Sequence, residues 1–153
     1  TFVLEFKRRF QSVPLHFWQS WQGWSETGKK AGLFYAIMKT YKMVFDFHFN
    51  VAIRHWNSID QTLVKSDLMM EFNEIAAHDE FVDSWSEKTK DKVMSVYLHM
   101  LHQAGLRKEG STELKQPELA QEDYAFYLKI QEPWFLDACL LHSYQIESIK
   151  NVI

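Results

Sequence analysis

Apolar residues recur at intervals of three and four along most of this chain, the spacing of α-helices with one buried face. Phe2, Val3, Phe6, Phe10 and Val13 open the pattern, and Lys7, Arg8 and Arg9 fall on the other faces. Pro14 can end that helix or open the next one as its first residue. Leu15, Phe17, Trp18, Trp21 and Trp24 carry the spacing on, up to a polar patch over 25–30 that reads as a loop or a helix entry. Residues 31–56 are apolar at almost every turn of the wheel, which predicts one or two helices buried on several sides, with a break near Tyr41-Lys42-Met43.

A polar connection over 57–62 leads to Ser66-Asp67, a predicted N-cap before Leu68, Met69, Phe72 and Ile75. His78-Asp79-Glu80 closes that helix, and Phe81, Val82 and Trp85 form a short apolar bridge. Ser86 is the next predicted N-cap, with Glu87 in the first turn, where its charge suits the helix dipole. Val93, Val96, Tyr97, Met100, Leu101 and Ala104 then form an amphipathic stripe ended by Gly105, a residue free to adopt positive φ. Residues 106–116 read as a loop or one short β-hairpin, and a hairpin directly after an amphipathic helix is the layout of a winged helix. Pro117 is expected to open a helical stretch, Glu132-Pro133 to break it, and a last helix to run from Trp134 to Ile149. The fold expected is mostly α, a compact multi-helix bundle with at most that one hairpin near 106–116. It is either a single domain over 1–153 or two subdomains: a basic aromatic part over 1–60, and a part over 61–153 that holds a winged-helix-like segment at 66–130.

Composition supports long helices: five Gly and three Pro are few for 153 residues, and a hydrophobic share of 46% can fill a core. Cys139 is the only cysteine, so no internal disulfide forms, which fits a reducing cytoplasm. The most apolar stretch, 33–51, is interrupted by Lys39, Lys42, Asp46 and His48, too polar for a membrane span. Thr1 stands where an initiator Met would, and a helical pattern is already under way, so the natural chain is expected to start upstream. Net charge is −3, against an indiscriminate polyanion binder. The charge is unevenly spread, however. Residues 1–56 hold eight Lys/Arg and three Asp/Glu, whereas 57–153 hold nine and seventeen. That basic half is either a docking face for an anion or one end of a dipolar surface with no partner.

Catalytic signatures are missing. There is no phosphate-cradling glycine loop, no nucleophile elbow, and Cys139 sits between Ala138 and Leu140 in an apolar segment that predicts an inert thiol. His99 and His102 share a helix face, but neither they nor Cys139 with His142 gain a third ligand nearby in sequence. Asp79, Glu80 and Asp83 beside His78 read as a solvated connection, and Trp18, Trp21 and Trp24 as core. No enzyme activity, cofactor or metal is expected. The basic groups remain as candidates for phosphate contact: Lys7, Arg8 and Arg9; Lys29 and Lys30; Lys88, Lys90 and Lys92 with Thr89 beside them; and Arg107 and Lys108 in the possible wing. Glu87 and Asp91 cut against the third group, because they repel a phosphate backbone.

Lys39-Thr40-Tyr41-Lys42 runs into Phe45-Asp46-Phe47, followed by Val51 and Arg54; Asp67-Leu68 and Phe72 come next. Trp85 to Lys92 leads on to Leu101 and Ala104-Gly105-Leu106, and Leu114 and 117–119 follow. In this order, over about 30–120, these segments resemble the BrxA family of BREX phage-defence systems. The resemblance implies a small helical protein, likened in part to NusB, that binds DNA without catalysis. Double-stranded DNA is thus the first expected partner. A scaffold subunit of a defence complex, binding other BREX proteins, and a NusB-like RNA-binding protein are the alternatives; oligomeric state is open.

Overall fold

A computed structural model describes residues 11–152 of the chain. Helix α1 spans Leu15–Trp21, and Pro14 is its N-cap, so this proline opens a helix. Helix α2, Glu26–Thr40, starts where the Ser25 hydroxyl accepts a bond from the Gly28 amide at 3.1 Å. It buries Ala31, Phe34, Tyr35, Ala36 and Met38, as its near-continuous apolar pattern requires. Gly32 permits the closest approach. A Cβ there would lie 2.9 Å from Trp21 Cδ1 and 3.0 Å from Trp24 Cζ3. The expected break falls at Tyr41, which is extended at φ −119°. Helix α3, Lys42–Phe47, then passes through a π-helical turn, His48–Ala52, into α4, Ile53–Trp56. The wider turn brings His48 fully into the core.

Helix α5, Lys65–His78, begins one residue before the predicted Ser66 cap. Val64 takes the cap position because the Asp67 carboxylate reaches back to accept its amide at 2.8 Å. Asp79 caps the short α6, Glu80–Asp83. Helix α7, Glu87–Gln103, starts at the predicted Ser86, whose hydroxyl accepts the Thr89 amide, and is followed by Gly105 at φ +78°. Among the described residues the 106–116 segment forms no sheet. Two isolated antiparallel bridges, Arg107 with Leu114 and Thr62 with Glu113, set the segment 112–115 between 106–108 and 61–63.

Two further boundaries differ from the sequence expectation. Pro117 does not open a helix; it is buried beside Gly105, and its carbonyl accepts from the Tyr124 hydroxyl at 3.3 Å. Helix α8, Gln121–Lys129, starts instead after Ala120, whose amide the Asp123 carboxylate holds at 2.9 Å. The last predicted helix is two, α9 at Trp134–Ala138 and α10 at Ser143–Asn151. Leu140 adopts φ +64° between them, and its carbonyl accepts from Gln116 Nε2 at 2.9 Å. A bond made 24 residues away holds a conformation that no glycine or proline marks.

One contiguous core runs from Val13 to Ile149 and joins the first and last parts of the described residues. Phe17, Tyr35, Tyr127 and Phe135 meet there with ring centroids 4.4–5.5 Å apart, tilted or edge-on. Glu132 fastens this junction. Its carboxylate accepts Lys39 Nζ at 2.6 Å, the Tyr35 hydroxyl at 2.9 Å and the Trp134 indole N–H. Partial burial works against its charge, yet the three donors outweigh it and hold the carboxyl below the usual range. Glu132→Ala should cost about 2–4 kcal/mol, because it strips a charge-assisted acceptor from the fully buried Tyr35. Urea unfolding checks this, and a loss below about 1 kcal/mol would contradict it.

Candidate nucleic-acid interface

The spacing along α7 decides what that helix can present. Lys88, Lys92 and His99 are exposed and fall within about 40° of one another around its axis, at 100° per residue. Its acidic residues are engaged elsewhere. Asp91 pairs with Lys65 of α5 at 2.9 Å, and Glu87 with Lys90 at 3.7 Å. The repulsion that Glu87 and Asp91 suggest in the sequence is thereby partly offset. Lys90 is drawn inward, with a side chain 17% exposed. Thr89 is also occupied, since its hydroxyl accepts from that of Ser86 at 3.0 Å.

At the far end of α7 the chain turns at Gly105 into the bridged loop. Lys30 of α2 meets His99, His102, Arg107, Glu109 and Lys115 there around a polar cleft of about 500 Å³. A Cβ on Gly105 would lie 3.9 Å from Lys115 Nζ, which shows how closely that lysine returns to the helix end. Lys30, Lys88, Lys92 and Lys115 have no anionic partner within 4 Å among the described residues. From Lys88 to His102 the axial distance is about 21 Å at 1.5 Å per residue, so lysines and cleft occupy the two ends of one helix.

The other predicted cations have local duties. Arg107 donates through Nη2 to the Leu63 carbonyl at 2.7 Å and through Nη1 to His102 Nε2 at 2.9 Å. His102 Nε2 is therefore an acceptor, and its Nδ1–H donates to the Arg107 carbonyl at 3.2 Å. Burial draws the Arg107 guanidinium below its usual pKa. Lys108 pairs with Glu113 at 2.5 Å across the bridged loop. The Lys29 ammonium sits 5.2 Å from the centre of the Trp21 ring, and the Trp21 indole donates to the Lys29 carbonyl. Lys7, Arg8 and Arg9 lie outside the described residues. Lys115 is not among the cations that the sequence pattern singles out. Its only signal is the register of the bridged loop, in which the Lys115 amide donates to the Leu106 carbonyl at 2.9 Å.

Cys139 is buried and its thiol is pushed up by burial, the inert setting expected of it. No cluster of three or more metal-ligating side chains occurs among the described residues. No helix among them is long and apolar enough to cross a membrane.

The fold and this surface define a mostly helical protein that presents lysines without an anionic partner among the described residues, along one helix and beside a polar cleft. The chain belongs to the BrxA family, which it matches over residues 2–130. The BREX protein BrxA of Bacillus cereus (strain H3081.97) is 32% identical over 92 residues, which are 59% of this chain and 46% of that protein. The chain thus spans about half the length of the curated relative it matches.

Proposed function

We propose that this chain is a non-catalytic accessory protein of a BREX system that binds duplex DNA, mainly through phosphates, in the cytoplasm and alongside other BREX proteins. One observation carries the reading: Lys88 and Lys92 stand one turn apart on an exposed face of α7, while Asp91 and Glu87 of the same helix pair with other lysines. The order of elements supports it. Helix α4, the 61–63 segment, helix α5, the one-turn α6, helix α7 and the bridged loop come in that order, which is the helix, strand, helix, helix and hairpin of a winged helix with α6 inserted in the turn between the two helices. In helix-turn-helix proteins the second helix of the pair enters the major groove, and α7 holds that place. Lys30 and Lys115 extend the basic surface beyond its far end. Lysines meet phosphate as point charges and rarely read a base edge in bidentate fashion, so binding is weakly sequence-specific.

Fluorescence anisotropy with a labelled duplex across a salt series tests this. Three or four phosphate contacts give a slope of about −2.7 to −3.6 in log affinity against log salt, a drop of about 40- to 150-fold between 50 and 200 mM. A scrambled duplex of equal length should bind within about threefold. A flat salt response would overturn the reading.

A further inference from the structure

The amphipathic stripe of α7 is wider than the core beneath it. Met94, Tyr97, Leu98 and Leu101 fill the interior, whereas Val96 is 41% exposed and Val93 and Met100 are half-buried. With Thr89 and Lys92, these three residues form one wall of an open groove of about 490 Å³. Met43 and Val44 of α3, with Trp85, form the other. Phe81, 72% exposed, stands edge-on to Trp85 with ring centroids 5.8 Å apart and lengthens the apolar surface.

We infer that this groove seats an amphipathic helix of a partner protein, with acidic residues beside its apolar stripe. Two features select that chemistry. Among the described residues Lys92 is the single charged one lining the groove, Lys88 lies one turn before it, and neither has an anionic partner there. A partner with acidic flanks is attracted and one with basic flanks is repelled. The walls are mostly helical, so their backbone groups are already bonded. An extended peptide would leave its own N–H and C=O groups unmatched there, whereas a helix satisfies them internally. From Thr89 to Met100 the wall is about 17 Å long, which matches about three turns of partner helix with anchors at i, i+3 or i+4, and i+7. This docking needs no DNA and is measured in its absence.

The probe is a stapled 14-residue helix with Leu at the anchor positions and Glu on both flanks; its control carries Lys for every Glu. Isothermal titration with the full chain should give a Kd below about 100 µM for the Glu peptide and at least tenfold weaker binding of the Lys peptide. Val96→Asp, at an exposed position, should remove binding at an unchanged melting temperature. Lys92→Glu should reverse the preference between the peptides, an outcome that a purely structural role of Lys92 does not produce. Equal binding of both peptides, no binding of either, or insensitivity to Val96→Asp would overturn the inference. Sedimentation showing self-association that Val96→Asp abolishes would also overturn it and give the groove to a second copy of the chain.

Discussion

Reversing two charges, Lys88→Glu with Lys92→Glu, should weaken binding to duplex DNA about 10- to 100-fold at 0.1 M salt. Each change removes a phosphate contact and sets a carboxylate against the phosphate chain. The fold should hold. Both side chains are exposed, and such substitutions usually alter stability by under about 0.5 kcal/mol. A glutamate at position 88 also lies in the first turn of α7, where negative charge suits the helix dipole. Lys108→Glu makes the contrast. That lysine is paired with Glu113, so its reversal should disturb the bridged loop more than the affinity. Arg107→Ala should act on stability, since it frees the Leu63 carbonyl and His102 Nε2 of their donor. Anisotropy titrations of the variants, with melting curves, check these outcomes. A double reversal that leaves affinity within twofold would remove α7 from the DNA surface.

The second large effect concerns pH and His48. Its Nε2 lies 2.6 Å from the Ala138 carbonyl, which only accepts, so Nε2 carries the proton. Nδ1 then accepts from the Tyr97 hydroxyl at 2.8 Å, and the ring is neutral with both nitrogens satisfied. Complete burial lowers its pKa from near 6.5 to about 4, against the opposing pull of the Ala138 carbonyl. The folded state thus binds fewer protons than the unfolded chain between those values. The stabilisation is fully present above pH 6.5 and is lost as pH falls toward 4, by about 3 kcal/mol in all. His48→Gln should unfold at lower denaturant at pH 7.5 and should lack this component of the acid slope. Urea curves at pH 7.5, 5 and 4 for both proteins measure the difference. An imidazole resonance of His48 titrating near 6.5 would contradict the assignment.

Where a local rule governs, the sequence is a good guide. Ser86 caps α7 because a hydroxyl at that position can take the Thr89 amide, and Gly105 follows because positive φ costs it little. The break at Tyr41 and the mostly helical fold are legible for similar reasons. Where a distant group decides, the sequence is silent. Asp67 moves a cap from Ser66 to Val64, and Gln116 holds Leu140 in a left-handed turn that splits the last helix. The site follows the same division. Periodicity puts Lys88 and Lys92 on one face of α7, but it does not say that Val93, Val96 and Met100 look into an open groove while Met94 and Leu98 are covered. Arg107 looks like a cation for phosphate until Leu63, 44 residues earlier in the chain, takes its guanidinium. Lys115 joins Lys30 only through the register of a loop bridged at single residue pairs.

The most direct test of the DNA surface is amide mapping of the full, ¹⁵N-labelled chain titrated with a duplex of about 15 base pairs at low salt. The shifted amides should cluster at 87–99 of α7, around Lys30, and at 105–115. Shifts gathered instead on α8 and α10, or the absence of any shift at saturating DNA, would contradict this placement.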